Sequence, residues 1–372
     1  MNLQKIIDMK LNEITNALEE IAPLSLQESY DNAGLLIGDK FTDINKILIS
    51  LDVTEEVIEE AINKGCNLII SHHPIIFSGL KRITGGTYVE RIVAMAIKND
   101  IALYAAHTNL DNIDGGVNSI LCDKLGLKNK RILSPKKEML RKLVTFCPVE
   151  YAERVRNALF AAGAGHIGNY DNCSYNVNGT GTFRGSEDTN PFVGEKGKLH
   201  FEEEVRIETV FPVYREQNII SALLNAHPYE EVAYDIYTLS NDFLLAGAGM
   251  VGEPETEVDE IDFLNKVKEI TGVGCIRHTA LTGKKIKKVA VCGGSGSFLI
   301  KDAIRSGADI FLTGDIKYHE FFDADGKIVI ADIGHYESEQ FAKDLIYSVL
   351  IKKFSNFAVL ISEVNTNIVN YL

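Results

Sequence analysis

Two stretches of this chain, residues 45–111 and 286–339, alternate short β-branched runs with helical segments, and that alternation restricts the fold more than any other feature. The first reads KILISLD, TEEVIEEAINKG, NLIISHH, YVERIVAMAIKND and IALYAAHTNLD. The second reads IKKVAVCGG, SFLIKDAIRSG, ADIFLTGD and KIVIADIGHYESE. Parallel strands cannot be joined by tight turns, so strands spaced by helices predict βαβ units on a mainly parallel sheet covered on both faces.

Residues 141–239 follow another pattern. RKLVTFCPV reads as a strand and EYAERVRNALFAAG as a helix stopped at Gly163; CSYNVNGTGTFRG and HFEEEVRIETVFPV are two more strands, REQNIISALLNAH a second helix and EEVAYDIYTL a last strand. The order β-α-β-β-α-β is that of a ferredoxin-like module. We therefore expect an inserted α+β domain over 136–242, interrupting one discontinuous α/β domain built from 1–135 and 243–372.

The flanking halves also resemble each other. AINKGCNLIISHH (61–73) aligns with AIRSGADIFLTGD (303–315): a helix end, a glycine stop and a buried strand. Downstream, one strand leads to His107 and Asp111 and the other to His335 and Glu339, each pair four residues apart. The two halves are expected to face each other.

Charge narrows the partners. With 38 Lys and Arg against 52 Asp and Glu, the net charge of −14 opposes binding to a phosphate backbone, which needs a basic footprint. The lysines at 284, 285, 287 and 288 read as a solvated strand edge. Six widely spaced cysteines, with no C-x-x-C pair, offer neither a zinc ribbon nor a redox motif and read mostly as small buried hydrophobes. The first 21 residues read as an amphipathic helix with acidic positions throughout, unlike a signal peptide. No apolar run approaches the ~18 residues of a membrane span, and a reducing cytoplasm is the expected setting.

Four of the nine histidines stand at strand ends: His72 and His73, His107, and His335. Ligands of open α/β sheets gather at the carboxyl ends of strands. His and carboxylate are the donors suited to borderline divalent metals, and no cysteine lies at this edge, so Zn, Fe(II) or Mn is expected. Each histidine alone reads better as a turn or satisfied core residue; the set does not. His72, His73, His107, Asp111, His335 and Glu339 outnumber the ligands of one open catalytic ion, which points to two ions with a carboxylate such as Glu339 bridging. VAVCGGSGSF (289–298) offers a glycine-rich turn at a helix start, read either as a tight turn with a serine cap or as a phosphate cradle over Gly293–Ser297. Asp31, Asn32 and Asp52 read as local turn or capping groups that could approach the site. His227, Glu230 and Glu231 in AHPYEE read mainly as a helix stop.

SHHP (71–74), AHTNLD (106–111), TGD (313–315) and GHYESE (334–339) together resemble the Nif-three-like family, whose members carry the name GTP cyclohydrolase 1 type 2 homologue. The middle segments AAGAGHIGNYDNCSY, NPFVGEKGKLHFEEEVRIE and AHPYEEVAYDIY resemble the PII- or CutA-like insert of its longer bacterial members. The resemblance implies a three-layer α/β/α domain, metal ligation by His72, His73, Asp111, His335 and Glu339 with His107 as ligand or neighbour, and a ring-shaped homohexamer. The family label implies hydrolytic attack at C8 of guanine, ring opening and loss of formate. The leading expectation is a metal-dependent hydrolase of a nucleotide or similar heterocycle, with Glu339 and His107 in the chemistry. The rival from another class is a metal-handling or regulatory protein whose insert senses a small molecule or partner; a scaffold stabilised by its metals is a third reading.

Overall fold

The computed structural model describes residues 9–372, and the start of the expected N-terminal helix lies outside them. Among the described residues that helix runs Leu11–Ile21, burying Leu11, Ile14 and Leu18 at helical spacing. Two units emerge, one of 244–372 with the residues up to 135, the other of 136–243.

The first unit is mixed α/β and contains two large sheets where a single mainly parallel one was expected. One has the order Ala358–Ile361, Lys46–Ser50, Leu68–Ser71, Ala102–Ala105, Gly34–Ile37; the first four strands are parallel and the last is antiparallel. The other has the order Arg277–His278, Val329–Asp332, Ile310–Gly314, Val289–Ser295, Phe243–Glu253, Lys128–Lys136. Its strands 289–295, 310–314 and 329–332 are parallel; Arg277–His278 and Phe243–Glu253 pair antiparallel to their neighbours in that set. Each repeat half thus supplies three successive parallel strands, but to its own sheet.

Alternation of side chains fixes the register of the second sheet. Val289, Val291, Ile310, Leu312, Val329 and Ala331 pack against Leu121, Phe263 and Val267 on one face. Ala290, Cys292, Phe311 and Ile330 pack against Leu299, Ile300 and Ala303 on the other. Burial on both faces explains why these strands read as continuous apolar runs. In the first sheet Leu48, Ile69 and Leu103 meet the apolar faces of helices Glu55–Lys64 and Tyr88–Lys98. The former helix begins with Thr54 accepting from the Val57 amide and stops at Gly65, whose φ of 68° is the left-handed conformation that favours glycine.

The second unit is a four-stranded antiparallel sheet in the order Tyr234–Leu239, Leu140–Pro148, His200–Pro212, Tyr175–Phe183. Helices Ala152–Ala161 and Glu216–Ala226 cover one face, where Leu143, Cys147, Val205, Ile207 and Phe211 meet Val155, Leu159, Ile219 and Leu223. His227 has a structural role: its Nε2 donates to the Phe146 carbonyl at 2.9 Å and its Nδ1 accepts from the Tyr229 amide at 3.1 Å. Among the described residues no helix is long and apolar enough to cross a membrane.

Candidate metal centre

Backbone geometry at the strand ends of the first unit brings the six expected donors to one basin. After strand Leu68–Ser71 the amides of His72 and His73 still donate to Leu51 O, at 3.1 and 2.9 Å, holding the two rings at the sheet edge. His107 caps the one-turn helix Thr108–Asp111, and His335 opens the short helix His335–Glu339. Residues four apart share a helix face, so Asp111 lies below His107 and Glu339 below His335. His72, His73, His107 and Asp111 come from one sheet, His335 and Glu339 from the other; the donors meet between two sheets and not along a single edge.

All four rings are oriented in the same way. His72 Nδ1 donates to the Ala106 carbonyl at 2.8 Å. His73 Nδ1 donates to Asp52 Oδ1, His107 Nδ1 to Asp31 Oδ1 and His335 Nδ1 to Asp315 Oδ2, each at 2.7 Å. The carboxylates are anchored in turn: Asp52 accepts from Thr366 Oγ1 at 2.7 Å, and Asp31 from the Thr108 amide at 3.0 Å and from its hydroxyl. Fixing Nδ1 as the donor reserves Nε2 for another partner, the arrangement found around metal-ligating histidines.

Glu339 sits among these nitrogens. Its Oε2 is 2.9 Å from His73 Nε2 and 3.0 Å from His335 Nε2, while its Oε1 is 3.8 Å from His72 Nε2. His73 Nε2 and His335 Nε2 approach to 3.3 Å. His72 Nε2 and Asp111 Oδ1, 3.6 Å apart, are both buried without a hydrogen-bond partner. Buried polar atoms are rarely left unpaired, so these two orphans are what a bound cation would satisfy. The donors form three overlapping groups, His72–His73–His107, His73–His335–Glu339 and His72–Asp111–Glu339, each with its ligand atoms within 4.8 Å of one another. Donors of one ion with bonds of ~2.1 Å lie about 3.4 Å apart, so the set fits divalent cations.

Proton affinities follow from this crowding. Burial opposes charge on His73 and His335, but hydrogen bonds to carboxylates outweigh it: Asp52 and Glu339 push His73 up to about 9, and Asp315 and Glu339 push His335 up to about 11. Burial lifts Asp111 to about 7 against the pull of His72. Glu339 is driven the other way: burial would raise it, yet contacts with His335, His72 and His73 hold it well below the usual carboxylate range. His107 is lowered, because burial exceeds the help it receives from Asp31.

The glycine-rich turn has a different purpose from phosphate binding. The Gly293 amide donates to Asn118 Oδ1 at 2.8 Å and the Gly294 amide to Ser338 Oγ at 2.9 Å, so neither is free for an anion. Nor does serine cap the helix: the 3-10 turn Ser297–Leu299 starts at Gly296 without a side-chain cap. Glycine is needed because Glu339 lies against the turn; a Cβ on Gly294 would overlap its Oε1, and one on Gly293 would sit 3.0 Å from its Cγ. Asp31 and Asp52, read from sequence as local turn groups, are the acceptors that aim His107 and His73. Asn32 instead donates to the Ile76 carbonyl. The basin opens into a cavity of about 1300 Å³ that includes Phe77, Lys81, Arg82, Arg277 and Tyr336 in its walls.

The sequence model of the family described as Duf34/NIF3 (NGG1p interacting factor 3) matches residues 9–368. A protein of Halalkalibacterium halodurans named GTP cyclohydrolase 1 type 2 homolog is 42% identical over 360 residues, covering 95% of this chain and 96% of that one. A Bacillus subtilis protein of the same name is 41% identical, covering 97% of this chain and 98% of its own. Among solved structures, a Bacillus cereus protein related to NIF3 superposes with a TM-score of 0.86 at 41% identity, over 99% of this chain and all of that one (100%).

Proposed function

The chain belongs to the Duf34/NIF3 family, and from that premise we propose that its basin holds two divalent cations and hydrolyses a nucleotide or similar heterocycle. One observation carries the reading: four histidines have Nδ1 engaged, three of them (His72, His73 and His335) turn Nε2 toward Glu339, and His72 Nε2 and Asp111 Oδ1 lack hydrogen-bond partners. In this reading His72, His73, His107, Asp111, His335 and Glu339 are the ligands, drawn from Zn, Fe(II) or Mn chemistry, and Glu339 is shared between the two ions. When bound, such ions supply Lewis acidity toward a substrate oxygen and toward water.

The protein's own groups supply the rest. Glu339, ionised and held by three histidines, keeps the donor set in place without a conformational cost at binding. His107, lowered by burial and aimed by Asp31, stands among the ligands or beside them; where its Nε2 is not on an ion, that nitrogen is the one able to take up and return a proton. Exposed Lys81 and Arg82 at the cavity wall suit the phosphates of an anionic substrate, and Phe77 and Tyr336 suit a flat heterocycle. The same proposal takes 1–135 with 243–372 as a three-layer α/β/α domain and 136–242 as a PII/CutA-like, ferredoxin-like insert, in a homohexamer.

The test is formate release from GTP by protein purified without oxygen and reloaded separately with Fe(II), Zn or Mn. Metal-dependent release that disappears in Glu339→Gln supports the cyclohydrolase reading; no release with any metal removes GTP as substrate. The insert's own cavity favours a second reading, metal handling or regulation with the insert as sensor. That reading predicts reversible metal binding with no turnover.

A further inference from the structure

The inserted unit carries a second cavity, of about 590 Å³, within the size range of small-molecule sites. On strand His200–Pro212, Val205 and Ile207 point into the core beneath the helices, so Glu204 and Arg206 project from the opposite face, where the cavity lies. Its walls include Phe146, Phe183, Phe192 and Tyr229. The Tyr229 ring centroid is 6.1 Å from that of Phe183 and 6.3 Å from that of Phe192, so three rings gather on one side.

Glu204 is the unusual group. It is only 9% exposed, and among the described residues its carboxylate accepts one hydrogen bond, from the Tyr229 hydroxyl to Oε1 at 2.9 Å. Others along the strand have close side-chain partners: Glu202 has His200 Nε2 at 2.7 Å, and Glu208 has Lys142 at 3.1 Å and Arg206 at 2.9 Å. No described residue forms an ion pair with Glu204. Arg206 is committed elsewhere, since besides Glu208 it lies 5.9 Å from the centroid of the Phe146 ring. Gly181 makes room for the carboxylate, because a Cβ there would overlap Glu204 Oε2 and come within 2.7 Å of its Cδ. A buried carboxylate is retained against its desolvation cost where a cation completes it.

We propose that this cavity binds a small organic cation, an amine or guanidinium compound, whose N–H groups donate to Glu204. Its positive charge would lie against the Phe183, Phe192 and Tyr229 rings, whose faces attract cations. A metal ion does not suit the site: one carboxylate among aromatic walls is a poor donor set, and the cavity far exceeds an ion. An anion suits it less: the lining's carboxylates, Glu204, Glu230 and Glu231, outnumber its guanidiniums, Arg184 and Arg206, and Arg206 is already paired with Glu208.

The experiment titrates metal-depleted full-length protein with agmatine, spermidine and choline, by calorimetry and by tyrosine fluorescence. Tyrosine is the usable reporter, since the chain has 14 Tyr and no Trp. We expect saturable binding of agmatine at one site per chain, weakened about tenfold or more by Glu204→Gln, the loss of one charge-assisted bond. Phe192→Ala, at a half-exposed ring, should weaken it about threefold or more, and Glu202→Gln should leave it unchanged. The isosteric Gln variant should also unfold at a higher temperature than the parent without agmatine, and gain nothing from its addition. No saturation by agmatine or spermidine up to about 10 mM, binding of choline (which has no N–H) as tight as that of agmatine, or equal binding by parent and Glu204→Gln, overturns the proposal.

Discussion

Gly294→Ala isolates the packing of Glu339 from the chemistry of Glu339. The residue has φ of +61°, and an added Cβ would overlap Glu339 Oε1, lie 3.0 Å from its Cδ and 3.3 Å from His335 Cε1. Two costs follow. An L side chain in the left-handed region costs about 1–2 kcal/mol. Restoring ordinary contact also moves Glu339 Oε1 by roughly 1 Å, in a basin where its Oε2 is already within 3.0 Å of two histidine nitrogens. Gly65→Ala is the matching control, with φ of +68° and nothing within 4 Å of the new Cβ. Gly65→Ala should therefore lose about 1–2 kcal/mol in urea, and Gly294→Ala more, by the cost of displacing Glu339. Only Gly294→Ala should also lose metal affinity, by about tenfold to a hundredfold, the usual effect of disturbing a ligand's support. The assay is competition for Zn or Mn against a chromophoric chelator, beside denaturation of the metal-free proteins. Parent-like metal affinity in Gly294→Ala, with stability matching Gly65→Ala, would refute the placement of Glu339 as a ligand pressed against the turn.

Other consequences are as specific. Asp315→Asn and Asp52→Asn, which release His335 and His73 from their acceptors, should each lower metal affinity about tenfold to a hundredfold while far-ultraviolet circular dichroism stays unchanged. Metal uptake should release protons and tighten as pH rises through 9 and beyond, because His73, held near 9 in the metal-free protein, and His335, held near 11, must deprotonate to ligate; a pH-stat titration reads this directly. The same shift makes the metal-free protein less stable at high pH. His73 is raised above its ordinary 6.5, so its contribution is full below 6.5 and is lost as pH rises through about 9, which thermal melts across that range will register. If the substrate is a nucleotide, Lys81→Ala with Arg82→Ala should raise KM about tenfold or more with little change in kcat, since those groups would bind phosphate away from the reacting atoms.

Much of the centre was legible because repetition and strand ends concentrate its donors. His107 with Asp111 and His335 with Glu339 stand at matching places after matching strands, and helical spacing alone puts each pair on one face. The orienting carboxylates were less legible. Asp31 lies 76 positions from His107 and Asp52 lies 21 from His73, and nothing local to either marks it as more than a turn residue. The glycine-rich turn reads as a tight turn or as an anion cradle because small residues at a βα junction have more than one cause, and only tertiary contact shows Glu339 packed against it. Alternation specified βαβ units without specifying their sheet. Antiparallel strands such as Phe243–Glu253 and Gly34–Ile37 attach to separate parallel sets, a choice decided by side chains far apart in the chain. The β-α-β-β-α-β order of residues 141–239 could be read because the hydrophobic period itself changes along that segment.

The central claim is a two-ion site built on Glu339, and metal counting tests it most directly. Protein purified without oxygen, reloaded with Mn or Zn and freed of excess, is analysed for metal per chain beside His335→Ala and Glu339→Gln. The account predicts two ions in the parent, about one in His335→Ala, where the His72–Asp111–Glu339 group is intact, and fewer than one in Glu339→Gln. A parent that holds no stoichiometric metal, or a Glu339→Gln variant that still holds two ions, would contradict it.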